Sequence, residues 1–113
     1  MYHDNYMARG KKYRAAVEKI EKDKIDAYLK KIEGLYLIKP ASGGFGVSGT
    51  PDRVGCFRSL FFAIEVKRAG KEPTPIQWKR IKECQDAGGK AFWGTSEKVI
   101  PEFEQWRNEI SVR

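Results

Sequence analysis

The sequence predicts an α/β fold in which helices flank a small mixed β-sheet, with the element order α-β-β-β-α-β-α. Three observations predict it. The run Leu60-Phe61-Phe62-Ala63-Ile64 contains no polar residue, the pattern of a strand buried on both faces. Apolar residues recur at steps of three and four in the stretch ending at Ile32 and again from Val99 to Ile110, the spacing of helices packed on a core. Glycines, prolines and a helix-capping signal punctuate the chain between these stretches.

Residues 1–13 are polar with no clear period and are expected as a basic N-terminal arm, either a loose tail or a frayed helical start. From Ala15 to Ile32 the pattern is helical: Glu18, Glu21, Ile25, Leu29 and Ile32 share one stripe, acidic at its start and apolar beyond. Gly34 ends that helix, and Leu35–Ile38 reads as a strand stopped by Pro40. The loop from Ala41 to Pro51 contains Gly44-Phe45-Gly46-Val47-Ser48-Gly49, but no helix opens on these glycines and no Lys-Ser or Lys-Thr follows. A nucleotide cofactor is therefore not expected. Asp52–Phe57 and Leu60–Lys67 form a hairpin across Arg58-Ser59. Thr74, Pro75 and Gln77 then supply an N-cap, a first-turn proline and the third position of a capping box. Gln77, Ile81 and Cys84 lie on the inward stripe of this helix, and Gly88-Gly89 ends it. Ala91–Trp93 is a last short strand. Thr95 or Ser96 caps a final helix that buries Val99, Phe103, Trp106 and Ile110, with Pro101 obscuring where it starts.

At 113 residues the chain makes one domain, 1–113, without repeats or low-complexity segments. No apolar stretch approaches the roughly 20 residues of a membrane span, and residues 1–5 lack the layout of a secretion signal, so a cytoplasmic protein is expected. Cys56 and Cys84 have no partner at metal-ligand spacing and read as buried reduced thiols. The lone His3 can anchor neither a zinc site nor a nucleophile-activating pair. A net charge of +7 favours a polyanionic partner such as nucleic acid.

The chemistry is expected at one end of the hairpin. Side chains alternate along a strand, so Glu65 and Lys67 point to the same side, and a buried charge there must be paired or metal-bound. Mg²⁺ takes oxygen ligands and needs only one or two protein carboxylates. Asp52 and Glu65 can provide these, with the Val66 carbonyl as a further oxygen. An ion so held polarises a phosphodiester and activates water, while Lys67 positions that water or neutralises the phosphate. Glu18 or Glu21 can bring a third carboxylate from the first helix. Each residue also has an ordinary explanation: a surface ion pair for Glu65 and Lys67, a turn residue for Asp52, a cap for Gln77. Their order along the chain is what favours a site.

Gly49-Thr50-Pro51-Asp52, Phe62-Ala63-Ile64-Glu65-Val66-Lys67 and Pro73-Thr74-Pro75-Ile76-Gln77 resemble the VRR-NUC domain, a branch of the PD-(D/E)XK nuclease superfamily, in its short stand-alone phage and bacterial form. The resemblance runs from about Glu18 through the strand at Trp93. It implies a restriction-endonuclease-like core, Mg²⁺ or Mn²⁺ dependence, and cleavage of DNA by homodimers on branched substrates such as four-way (Holliday) junctions, a DNA-repair type of activity in a bacterial or phage-infected cell. Transferred by motif, Asp52 and Glu65 become metal ligands, Lys67 the catalytic lysine, Gln77 a supporting polar residue, and Glu18, or else Glu21, the first-helix acid. Arg53, where the family prefers an apolar residue, and Glu21, likewise, depart from the pattern. Lys11, Lys12, Lys39, Arg53, Arg58, Arg68 and Lys71, with Lys79 and Arg80, are the cations expected to track a DNA backbone. The alternative is a DNA-binding module of the same fold without catalysis, and a weaker one is a sequence-specific restriction-type enzyme.

Overall fold

The computed structural model describes residues 2–41 and 47–111, with side chains from residue 10 onward. Three helices flank a four-stranded mixed sheet in the predicted order. Helix α1 spans Tyr2–Lys30, strand β1 Leu35–Ile38, β2 Arg53–Phe57 and β3 Leu60–Val66. Helix α2 spans Pro75–Asp86, β4 Lys90–Gly94 and α3 Ser96–Ser111. The expected arm is thus helical rather than a loose tail: α1 begins at Tyr2, and residues 11–16 on it, including Lys11 and Lys12, are all exposed. The first half of the glycine motif, residues 44–46, lies outside the described residues, and its second half, Val47 to Gly49, leads into Asp52 without opening a helix.

The strands lie in sequence order, β1 and β3 antiparallel to β2, and β4 parallel to β3. A two-residue turn joins β2 to β3 with Arg58 and Ser59 both at positive φ, 50° and 71°. Such a turn follows the twist of the hairpin, although Asn-Gly would adopt it with less strain. Two residues further along every strand, the same face returns. One face presents Leu35 and Leu37, Phe57, Phe62, Ile64 and Val66, and Phe92 to helices α1 and α3, which add Ile25, Leu29, Val99, Phe103, Trp106 and Ile110. Phe62, Phe92, Phe103 and Trp106 meet mostly edge to face, with centroids 5.0–6.2 Å apart. The helical stripe predicted from Ile25 through Ile32 and the one from Val99 through Ile110 are therefore the core, as expected. Pro101 lies inside α3, in its early turns as expected, and the helix starts at Ser96.

The opposite face is covered only in part. Helix α2 crosses β3 and β4, while Tyr36, Ile38, Cys56 and Phe61 stay exposed over β1–β2 and the near end of β3. Cys56 is therefore not the buried thiol expected. The strand alternation turns it to the face that no helix covers, between its register partners Tyr36 and Phe61. Cys84 is half-buried, with the thiol pushed up by burial. No described helix is long and apolar enough to cross a membrane.

Candidate active site at the hairpin end

Asp52 and Glu65 meet because of register. β2 pairs with β3 through Arg53 opposite Ile64, and the next step places Asp52 beside Glu65, both on the α2 face. The approach to Asp52 is fixed by Gly49, at φ +77° and packed so closely on Ile76 that a Cβ would lie 2.9 Å from its carbonyl oxygen. Only glycine fits both conditions. Asp52 Oδ2 then accepts a hydrogen bond from the Val66 amide at 2.9 Å, tying the loop residue to the strand it faces. Its other oxygen lies 3.4 Å from Lys22 Nζ.

Glu65 is 3% exposed, and its Oε2 is buried with no hydrogen-bond partner. Its Oε1 is 3.9 Å from Lys67 Nζ, whose side chain is itself only 12% exposed. Lys67 thus turns into the site and not to bulk solvent. Burial pushes the Glu65 carboxyl up to about 8, the neighbouring charge of Asp52 pushes the same way, and Lys67 and Lys22 oppose. Two carboxyls this close do not both ionise readily without more positive charge between them. An orphaned buried carboxyl oxygen beside a second carboxylate is a donor set suited to a hard cation, and the Val66 carbonyl is the third oxygen expected there.

The first helix contributes differently from expectation. Glu21 is committed elsewhere: its carboxylate accepts hydrogen bonds from the Ser96 amide, 2.9 Å, and from the Ser96 hydroxyl, capping α3. Burial would raise the Glu21 carboxyl, but those two bonds, helped by Lys24, hold it below the ordinary range. Glu21 is therefore a structural acid. Glu18 is half-buried one turn before Lys22, and makes no hydrogen bond or ion pair among the described residues. No three His, Cys, Asp or Glu side chains converge among those residues, so the third carboxylate is not gathered with Asp52 and Glu65. What α1 brings to the cluster is Lys22, which the sequence reading missed. A signal was present: Lys22 stands three and seven residues before Ile25 and Leu29, a lysine on the core stripe.

Gln77 completes the capping box as predicted. Its Oε1 accepts from the Thr74 amide at 2.9 Å, its own amide donates to Thr74 Oγ1, and no hydrogen bond joins it to Asp52, Glu65 or Lys67. The cap explains Gln77 without a catalytic role.

The cations sort into two groups. Arg53, expected to face DNA, is instead 12% exposed and forks onto Asp26 with bonds of 2.7 and 2.9 Å, while Lys39 adds a 3.3 Å contact to the same carboxylate. Burial works against the Asp26 charge, and the guanidinium fork with Lys39 still holds the carboxyl below its usual range. This pair explains the arginine after Asp52 as a strut between α1 and the sheet. Arg80 is likewise engaged, with Glu83 and the Ser48 carbonyl. Arg58 is exposed in the hairpin turn, at the far end of β3 from Glu65. Arg68 and Lys71, one and four residues after Lys67, line a surface cleft with Trp93 and Lys98. No protein-family model matches the chain, and no curated protein matches it.

Proposed function

We propose that this chain is a Mg²⁺- or Mn²⁺-dependent DNA endonuclease of the VRR-NUC kind, acting on branched DNA as a homodimer. One observation carries the reading: the buried, unpartnered Glu65 carboxyl oxygen, set beside Asp52 and within reach of Lys67 at the end of β3. A fold that needed only stability would fill that position with an apolar side chain, as it does at Val66 on the other face. Asp52, Glu65 and the Val66 carbonyl would hold the cation. When bound, the ion supplies Lewis-acid polarisation of the scissile phosphodiester and lowers the cost of deprotonating a water.

The remaining work falls to the protein's own groups. The Val66 amide fixes the Asp52 carboxylate in one orientation. Lys67, held between Glu65 and solvent, stands where its ammonium can orient the attacking water or bind a phosphate oxygen. Lys22, on the far side of Asp52, balances the second carboxylate and presents another positive charge to the phosphate. A two-fold dimer would offer two such sites to the two equivalent strands of a junction. The uncovered apolar stripe of Tyr36, Cys56 and Phe61 gives a second copy a surface to cover.

The test is a cleavage panel of duplex, flap, single-stranded and four-way-junction DNA with Mg²⁺, Mn²⁺ or chelator. The reading requires metal-dependent products, most abundant on branched substrates. Metal-independent binding with no product on any substrate would replace it with the non-catalytic DNA-binding module.

A further inference from the structure

We infer that the cleft along the free edge of β4, between α2 and α3, binds a single-stranded segment of nucleic acid, with a base against Trp78 and Trp93 and phosphates on Arg68, Lys71 and Lys98. The inference rests on the nuclease reading for its polarity, since β4 pairs with the strand that carries Glu65, but its binding chemistry stands on separate residues.

β4 is an outer strand of the sheet. The Lys67 amide donates to the Gly94 carbonyl, so that carbonyl faces β3 and the neighbouring Trp93 carbonyl faces the open edge. Lys98 reaches across to it, with Nζ 2.6 Å from the Trp93 oxygen and 4.2 Å from the centre of the Trp93 ring. Gly94, at φ +130°, makes this crossing possible, because a Cβ there would sit 2.8 Å from Lys98 Cδ. The lysine is therefore laid over the indole by the backbone and not merely adjacent to it.

Two adjoining hollows, of about 440 and 380 Å³, share Trp93 and Lys98. The first also holds Trp78, which stands edge-on to Trp93 with centroids 5.4 Å apart and remains 39% exposed. The second holds Arg68 and Lys71, one and four residues after Lys67. Register puts Trp93 directly beside Glu65 on the same face of the sheet, so the cleft borders the strand that carries the candidate active site. Across both hollows the cations are Arg68, Lys71, Lys82 and Lys98 and the acids Glu72 and Glu102, a positive surplus around two indoles. Flat apolar rings alternating with negative charges are the chemistry of a single strand, for which aromatic faces in a basic groove are the usual receptor. An extended peptide could also add to an open strand edge, but it would have to displace Lys98 from the Trp93 carbonyl.

The experiment is a titration of the full chain, in chelator, with an oligothymidylate of about six nucleotides, read by tryptophan emission. Quenching is expected. Trp78→Ala should weaken binding roughly five- to hundredfold, and Trp78→Phe, which keeps a ring, should retain most of it. Arg68→Ala and Lys71→Ala should each lower the salt dependence by about 0.7 in the log–log slope. Unquenched emission, or equal affinity in folded Trp78→Ala protein, would overturn the assignment. Quenching by polyglutamate with the same dependence on Trp78 would also overturn it, in favour of an acidic peptide. Because no divalent ion is present, this readout is separate from cutting. Metal-dependent cleavage with Trp78-independent binding would sink the cleft and leave the nuclease standing. Trp78-dependent binding without cleavage would do the reverse.

Discussion

Phe61 and Phe62 are chain neighbours on β3, yet the first is 43% exposed and the second has no exposed surface. The difference belongs to the two faces of the sheet. Toward α1 and α3, every strand delivers apolar side chains into one aromatic-rich core. Toward α2, the same strands deliver an exposed apolar stripe over β1–β2, and then, at the far end of β3, Glu65 and Lys67. One face is built to exclude water; the other carries charges whose burial the fold must sustain. A buried carboxyl with an unpartnered oxygen costs stability, and its place on the half-covered face is where a cation and a phosphate can reach it.

The largest expected effect separates the faces by activity. Asp52→Ala and Lys67→Ala should reduce metal-dependent cleavage by about a thousandfold or more in protein that still folds, with Asp52→Ala also losing about 1–3 kcal/mol of stability from the unpaired Val66 amide. Wild-type rates in either variant, measured in single-turnover assays, would remove these residues from the chemistry. On the core face the expected loss is of stability instead. Phe62→Ala should cost about 3–5 kcal/mol in urea denaturation, and Phe61→Ser, one residue away, no more than about 0.5 kcal/mol. Similar losses at both positions would mean that a partner already covers the outer face.

A smaller effect tests the contrast between two acids from the same expectation. Glu21 and Glu65 were both candidates for the site, but Glu21 Oε2 accepts from both the amide and the hydroxyl of Ser96, while Glu65 Oε2 is buried without a partner. Glu21→Ala should therefore cost about 1 kcal/mol of stability, the worth of a helix cap, with cleavage by the folded protein retained. Cleavage lost in a fully folded Glu21→Ala variant would return Glu21 to the site.

Much of this was legible in the chain and some was not, for physical reasons. The element order, the capping box at Thr74 and Gln77, and the core stripes follow from local periodicity and turn chemistry, and the structure has them. Register is also local here, because the two-residue turn at Arg58-Ser59 sets Asp52 beside Glu65. Partner choice across elements is different. Nothing near Glu21 in sequence announces Ser96, 75 residues away, and nothing near Arg53 announces Asp26. Those pairings depend on how α1 is rolled on the sheet, and a one-position roll would exchange Lys22 for its neighbour at Asp52. Cys56 was misjudged because an apolar run does not say which of a strand's two faces is covered.

The finest test uses pH to ask whether Glu65 is held as an acid awaiting charge. Folding raises its carboxyl from 4.5 to about 8. Between those values the folded chain binds more protons than the unfolded one, so the stability this group contributes is present below about pH 4.5 and is lost as pH rises toward 8. In chelator, the thermal midpoint should fall across that window, and Glu65→Gln should flatten the fall. Glu65→Gln should also exceed the parent in stability at pH 8, by on the order of 1 kcal/mol, because an amide carries no charge to bury. Mn²⁺ should reverse the slope in the parent alone, raising the midpoint more at pH 8 than at pH 6, since a cation displaces the proton that Glu65 otherwise holds. A parent curve that ignores both pH and Mn²⁺ would make the outer face as inert as the inner one, and the distinction between them would be one of solvent exposure only.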